Sequence, residues 1–170
     1  MVPEPPPLYP PPLSLPEAID YLNAIWRLHA DRALIRIGRA EAGAKLVLDC
    51  ANADEFESRL SALCSILGAV AIPDREENKL FNLREYLQTT LTEESAARAV
   101  EAVDDLRALF DLRVSRRHTG TEDRAARGMN RLGISLPVYD WGAAWHHIQA
   151  RTVAALSALR EEVETLVPTR

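Results

Sequence analysis

The apolar residues of this chain recur mostly every three or four positions, which is the spacing of a helix that buries one face. The first such segment begins with the sequence SLPE at residues 14–17, which matches a capping box with proline in the first turn. It extends to about residue 29, and its apolar face contains Leu22, Ile25, Trp26 and His29. We therefore expect the folded part of the chain to open with an amphipathic helix.

Further helices are predicted downstream by the same spacing and by residues that favour helix ends. The first two are a helix capped by Asn52 or Asp54 and closed by Gly68, and a shorter one containing Leu80, Leu83 and Leu87. The other three are a long helix from Thr92 to roughly Arg116, a short helix that ends at Gly133, and a long helix that begins at Asp140 and extends to the end of the apolar pattern. This last helix contains Trp141 and Trp145, which we expect in the core.

The stretch ALIRIGRAEAGAKLVLDC, residues 33–50, fits two different structures. As a helix it must accommodate Gly38 and Gly43, which are poor helix formers. As a hairpin it pairs ALIRI with AKLVL across a turn that contains glycine. A helix is favoured and the hairpin stays open as the alternative.

Taken together, these patterns predict an all-α fold, a bundle of about five to six helices in one domain over residues 14–167. Eight of the eleven prolines fall in the first sixteen residues. Residues 1–13 are therefore expected to form a flexible, proline-rich arm in an extended polyproline conformation. Such an arm either stays solvated or docks into an aromatic groove.

Composition narrows the class of protein. Hydrophobic residues make up 47% and charged residues 26% of the 170 residues, as in an ordinary globular chain, and no apolar run could span a membrane. The N-terminal residues lack the pattern of a signal peptide, and the two cysteines, Cys50 and Cys64, form no CxxC pair, so we expect a cytoplasmic protein without a membrane partner. Because nucleotide-binding, zinc-protease and hydrolase motifs are absent, we expect neither a metal nor another cofactor.

The net charge of −5 is unevenly distributed. Between Leu106 and Arg131 there are seven arginines and three acidic residues, so this window carries +4 and the remainder of the chain −9. Such asymmetry indicates a surface that faces an anion. The alternative is a solvated helical face on which arginine serves only as a good helix former.

Within this window lies the sequence Arg113-Val-Ser-Arg-Arg-His118, at the end of a long predicted helix. An arginine shortly before a histidine at this place in a helical bundle resembles the HEPN superfamily, and the resemblance extends from about Asp54 to Val167. One position departs from the family pattern, because Val114 stands where a polar residue commonly follows the arginine. The resemblance implies a metal-independent endoribonuclease, found in toxin–antitoxin or antiviral defence systems, that cuts RNA in a cleft between two protomers.

The side chains of this motif suit such chemistry. Histidine titrates near neutral pH and can accept or donate a proton, and the arginine fork matches the oxygens of a phosphate. The resemblance therefore makes Arg113 and His118 the expected catalytic residues, with Arg116, Arg117 and Arg124 as RNA-binding residues. It also implies RNA, a second copy of the chain and a partner protein such as an antitoxin as partners. The alternative is a non-catalytic helical interaction module or a subunit of a larger assembly.

Overall fold

The computed structural model describes residues 12–76, 79–115 and 122–168, and these residues form an all-α bundle. The first four helices are α1 (Leu15–Ala30), α2 (Ala40–Lys45), α3 (Ala53–Leu67) and α4 (Leu80–Thr90). The other three are α5 (Glu93–Ser115), α6 (Glu122–Leu132) and α7 (Trp141–Glu164). The described part thus contains seven helices rather than five to six, because it includes the six-residue α2.

The helix ends are fixed by the polar residues that the sequence suggested. Ser14 Oγ accepts a hydrogen bond from the backbone N–H of Glu17, whose carboxylate accepts one in return from the N–H of Ser14, so the capping box at α1 is confirmed. Asn52, rather than Asp54, caps α3, since its side chain accepts from the N–H of Glu55 at 2.9 Å. The predicted caps at Asp140 and Gly133 are also confirmed.

Helices α5 and α7 are the centre of the bundle. α5 packs against α3, α4, α6 and α7, and α7 packs in addition against α1. Trp145 of α7 is completely buried, as predicted, and its indole Nε1 donates to the carbonyl of Leu48 at 3.0 Å. Trp141 is only partly buried and packs against Phe56 at the edge of the core. No helix in the described ranges has the length and apolar character needed to span a membrane.

The stretch 33–50 is neither one helix nor a hairpin. Its first part is extended, and Ile35 forms a single antiparallel bridge with Val70. The buried side chain of Asn23 accepts from the N–H of Ile35 at 2.9 Å and donates to its carbonyl at 2.7 Å. Asn23 thereby replaces a neighbouring strand, so ALIRI needs no pairing with AKLVL.

The second part of this stretch contains α2 and then lies along α7. The carbonyl of Leu46 accepts from the side chain of Gln149 at 2.7 Å, next to the bond between Trp145 and Leu48. These side chains satisfy backbone groups that a hairpin would otherwise pair. Residues 1–11 of the predicted arm lie outside the described residues, and Leu13 is partly buried against the core.

Candidate active site

Arg113 lies in the last turn of α5, in line with the buried Leu106 and Leu109 on the face that packs inward. Its side chain is half-buried and lines an open cavity of about 880 Å³. The other walls are the polar face of α3, which contributes Ser61 and Ser65, and the segment that contains α2. Arg113 thus continues the inward-facing stripe of α5, and its side chain lines a cavity.

The cavity has a small excess of positive charge. Its basic side chains are Arg36, Arg39, Lys45 and Arg113. Its acidic side chains are Glu41, Asp54 and Glu57. Lys45 approaches Glu41 to 3.5 Å within α2. Among the described residues, Arg113 has no ion pair. An arginine fork of this kind has the donor geometry that matches carboxylate and phosphate oxygens.

Cys64 belongs to α3 and is completely buried beside Arg113 of α5. Burial raises the pKa of its thiol to about 12, and the positive charge of Arg113 opposes this only weakly. Burial also raises the pKa of Cys50. Both thiols stay protonated at neutral pH, so neither is suited to act as a nucleophile.

The other predicted residues of the motif, Arg116, Arg117 and His118, lie outside the described residues. Of the predicted RNA-binding residues, only Arg124 can be placed. It lies on α6, where its Nε and Nη2 donate to Asp111 Oδ1 at 3.1 and 2.8 Å. Arg124 faces a different cavity from the one that Arg113 lines.

This second cavity, which we call the basic groove, has a volume of about 560 Å³ and lies between α4, α5 and α6. The guanidinium carbon of Arg107 lies 5.7 Å from the centre of the Phe81 ring, a cation–π distance. The charged and aromatic residues of the groove are Lys79, Phe81, Asp104, Arg107, Phe110, Asp111, Arg124, Arg127 and Arg131.

Sequence reasoning missed most of these residues. The arginine-rich window contained Arg107, Arg127 and Arg131, and the spacing of i, i+3 and i+7 from Arg124 places three arginines on one face of α6. That spacing could have identified the row. Phe81 carried no such signal, because an isolated phenylalanine in a helix is ordinarily a core residue.

The described histidines have structural partners. His147 Nε2 lies 2.6 Å from the carbonyl of Leu132, and His146 Nε2 lies 3.2 Å from Asp49 Oδ1. His29 Nε2 lies 2.6 Å from the hydroxyl of Tyr86. In the described ranges, no three histidine, cysteine, aspartate or glutamate side chains are grouped as metal ligands would be.

Comparison with known proteins gives no relative. No family model matches the chain, and no curated protein or solved structure is significantly similar to it. The functional argument therefore depends on the residues and on the geometry around them.

Proposed function

We propose that this protein is a metal-independent endoribonuclease of the HEPN type, with Arg113 and His118 as its catalytic residues. The observation that supports it most is the position of Arg113, half-buried in a polar cavity without an ion pair to any described residue. A guanidinium group in this state binds a phosphate without first losing a carboxylate partner. His118 follows Ser115, the end of α5, by three residues, and three residues span at most about 11 Å.

The reaction is a transesterification within the RNA strand. A base removes the proton of the 2′-hydroxyl, the 2′-oxygen forms a bond to phosphorus, and the bond from phosphorus to the 5′-oxygen breaks. An acid then supplies a proton to that oxygen, which leaves a 2′,3′-cyclic phosphate and a free 5′-hydroxyl. His118 transfers protons, and Arg113 stabilises the negative charge that develops on the phosphorane.

One histidine cannot be base and acid for the same phosphate at once. The proposal therefore includes a homodimer in which His118 of one protomer acts as base and that of the other as acid. Arg116, Arg117 and Arg124 contribute positive charge for the RNA strand. A role in a toxin–antitoxin or antiviral defence system, with an antitoxin as partner and the cytoplasm as location, belongs to the same proposal.

The test is cleavage of a labelled mixed-sequence single-stranded RNA by purified protein. We expect His118→Ala to lower the cleavage rate about 10²- to 10⁴-fold, the typical cost of losing a general acid or base. Arg113→Lys should also be strongly impaired, because lysine retains the charge and loses the planar fork. Cleavage should continue in excess EDTA, and its product should end in a 2′,3′-cyclic phosphate.

His146→Ala is the matched control, because His146 is an exposed histidine near the start of α7 whose partner is Asp49. It should cleave at the wild-type rate, and every variant should retain the helical circular dichroism and the melting temperature. Equal rates for the wild type and His118→Ala, or loss of cleavage in EDTA, would contradict the proposal.

A second candidate is a non-catalytic interaction module. It is favoured by an apolar groove beside α7, lined by Leu13, Leu46, Val47 and Val153, in which Val47 is 55% exposed. Apolar surface of this kind is typical of contacts between proteins. A wild-type protein that cleaves no RNA, and whose expression is equally harmless with and without His118→Ala, would favour this candidate.

A further inference from the structure

The basic groove has features that neither packing nor the proposed cleavage chemistry requires. Leu80, Leu83 and Leu87 form the buried face of α4, whereas Phe81 lies beside that face and is 50% exposed. An aromatic ring kept half in water forgoes much of the stabilisation that its burial would give. Arg107 is held beside the ring, and Asp104 in turn accepts from Arg107 at 3.3 Å.

A row of arginines forms the opposite wall. Arg124, Arg127 and Arg131 occupy one face of α6 over about 10 Å of helix. Arg131 Nε donates to Asp105 at 2.8 Å, as Arg124 does to Asp111, so both groups are fixed in place. Each arginine has five N–H donors, so these ion pairs leave donors for another acceptor. Arg127 is exposed and forms no ion pair within the described part of the chain.

The charge and the shape of the groove favour one ligand. Five basic side chains line it against the carboxylates of Asp104 and Asp111, which leaves a positive excess. Ala108, Gly68 and Gly128 also line it, so the wall beside Phe81 contains small residues as well as charged ones. An acidic peptide would engage the arginines and leave Phe81 unused. A nucleotide uses both, because its base stacks on an aromatic ring while its phosphate binds arginine.

We propose that the basic groove binds one nucleotide unit of single-stranded RNA, with the base stacked on Phe81 and the phosphate held by Arg127 and Arg124. The choice of RNA as ligand rests on the proposed function. The groove is separate from the cavity of Arg113, so it positions the strand and takes no part in the cleavage step.

The experiment is fluorescence anisotropy with a 5′-labelled 12-nucleotide oligouridylate, in the His118→Ala background so that the probe stays intact. We expect Phe81→Ala to weaken binding about 5- to 100-fold, as loss of one base–aromatic stack does. Phe81→Trp should restore the affinity. Arg127→Ala should weaken binding and reduce the slope of log affinity against log salt by about 0.7, the contribution of one phosphate contact to a single strand.

Two matched controls remove an aromatic ring and an arginine that lie outside the basic groove. Tyr139→Ala removes an aromatic ring that is 89% exposed, and Arg27→Ala removes an exposed arginine of α1. Both should bind the probe with the affinity of the parent. Unchanged melting temperatures show that loss of binding is not loss of folding. Phe81→Ala and Arg127→Ala proteins that bind as tightly as these controls would overturn the proposal.

Further arms identify the source of the ligand and separate the two proposals. Uridine 5′-monophosphate has the base and one phosphate but lacks the further phosphates of a strand, so it should bind more weakly than the oligonucleotide; equal affinity would overturn RNA in favour of a free nucleotide. Polyglutamate that displaces the probe from the parent and Phe81→Ala alike would overturn the role of the ring. If RNA binding depends on Phe81 but the wild-type protein cleaves no RNA, the groove proposal stands and the nuclease proposal fails. If the wild-type protein cleaves RNA but binding does not depend on Phe81, the nuclease proposal stands and the groove proposal fails.

Discussion

The arginines on two sides of α5 differ in what holds them. Toward α6 and α7, Asp105 of α5 accepts from both Arg131 and Arg151 at 2.8 Å, so one carboxylate joins three helices. At the C-terminal end of α5, Arg113 is half-buried and has no ion pair with a described residue. The same residue type thus serves as a connector in one region and has no such role in the other.

Whether an arginine has a carboxylate partner says more about its role than the number of arginines in a segment does. A guanidinium group that is hydrogen-bonded to a carboxylate between helices already has a reason to be there. Arg113 instead lines a cavity that contains both basic and acidic side chains, and it forms an ion pair with none of them. The proposed function accounts for this arrangement by a ligand with negative charge.

The largest effect on stability is expected where α6 packs against α5, in the region where arginines of α6 pair with aspartates of α5. A Cβ at position 128 would lie 2.9 Å from the backbone oxygen of Ala108, so Gly128→Ala must move one helix backbone. We expect it to lower the free energy of unfolding by about 1–3 kcal/mol, as overpacking does, and to weaken RNA binding in the basic groove. Urea denaturation measures the first effect.

Gly38→Ala is the matched control, since no atom lies within 4 Å of a Cβ there. Its unfolding free energy should stay close to that of the wild type. If Gly128→Ala behaved in the same way, α6 would not be packed as closely on α5 as described.

The next effect concerns Glu162, a buried carboxylate that accepts from Arg98 across α5 and α7. The hydrogen bonds from Arg98 lower its pKa from the ordinary value of 4.5, against the opposing effect of burial. A carboxyl group whose pKa is lowered on folding stabilises the fold above its unfolded pKa, and this stabilisation is lost as the pH falls through the folded pKa. We expect Glu162→Gln to lower the melting temperature by about 3–5 °C at pH 7.

The gap between wild type and Glu162→Gln should shrink below about pH 4.5. Glu161→Gln is the control, because Glu161 is exposed and lies 3.7 Å from Arg160, and it should change little at any pH. A gap that is constant from pH 7 to pH 3 would mean that the ion pair of Glu162 does not stabilise the fold.

The smallest effects on stability are expected from two variants that compare the region of paired arginines with the site of Arg113. Asp111→Asn weakens the pairing of Arg124 and should cost at most about 1 kcal/mol, as for partly exposed ion pairs. It should also tighten RNA binding, because it removes a negative charge from the basic groove. Arg113→Gln should change the unfolding free energy by less than about 0.5 kcal/mol while it abolishes cleavage. A greater loss of stability in Arg113→Gln than in Asp111→Asn would show that Arg113 is structural.

Most of the helical fold could be predicted from the sequence, because the information is local. The caps at Ser14, Asn52 and Asp140 each bind a backbone N–H three residues away, so sequence spacing is enough to identify them. Residues 33–50 could not be predicted in this way. Their conformation depends on Asn23 and on Trp145, which lie far from them in sequence and whose bonding capacity only the folded chain reveals.

The candidate site divides along the same line. The inward direction of Arg113 follows from its register with Leu106 and Leu109, which is a property of one helix. The ion pair between Arg124 and Asp111, and the contact between Arg107 and Phe81, each join different helices. Contacts of that kind depend on the packing angles of the bundle, which spacing along the chain does not specify.

The attachment of the segment after α2 to α7 has a consequence for biosynthesis. The hydrogen bonds from Trp145 to Leu48 and from Gln149 to Leu46 join residues 97 and 103 positions apart. Such contacts form late, because a long stretch of chain must first be closed into a loop. While the ribosome is still adding residues before α7, the segment after α2 has its contacts with α3 and lacks these two bonds to α7. We therefore expect the segment that walls the cavity of Arg113 to be fixed only after α7 has left the ribosome, so that a growing chain without α7 has no finished site.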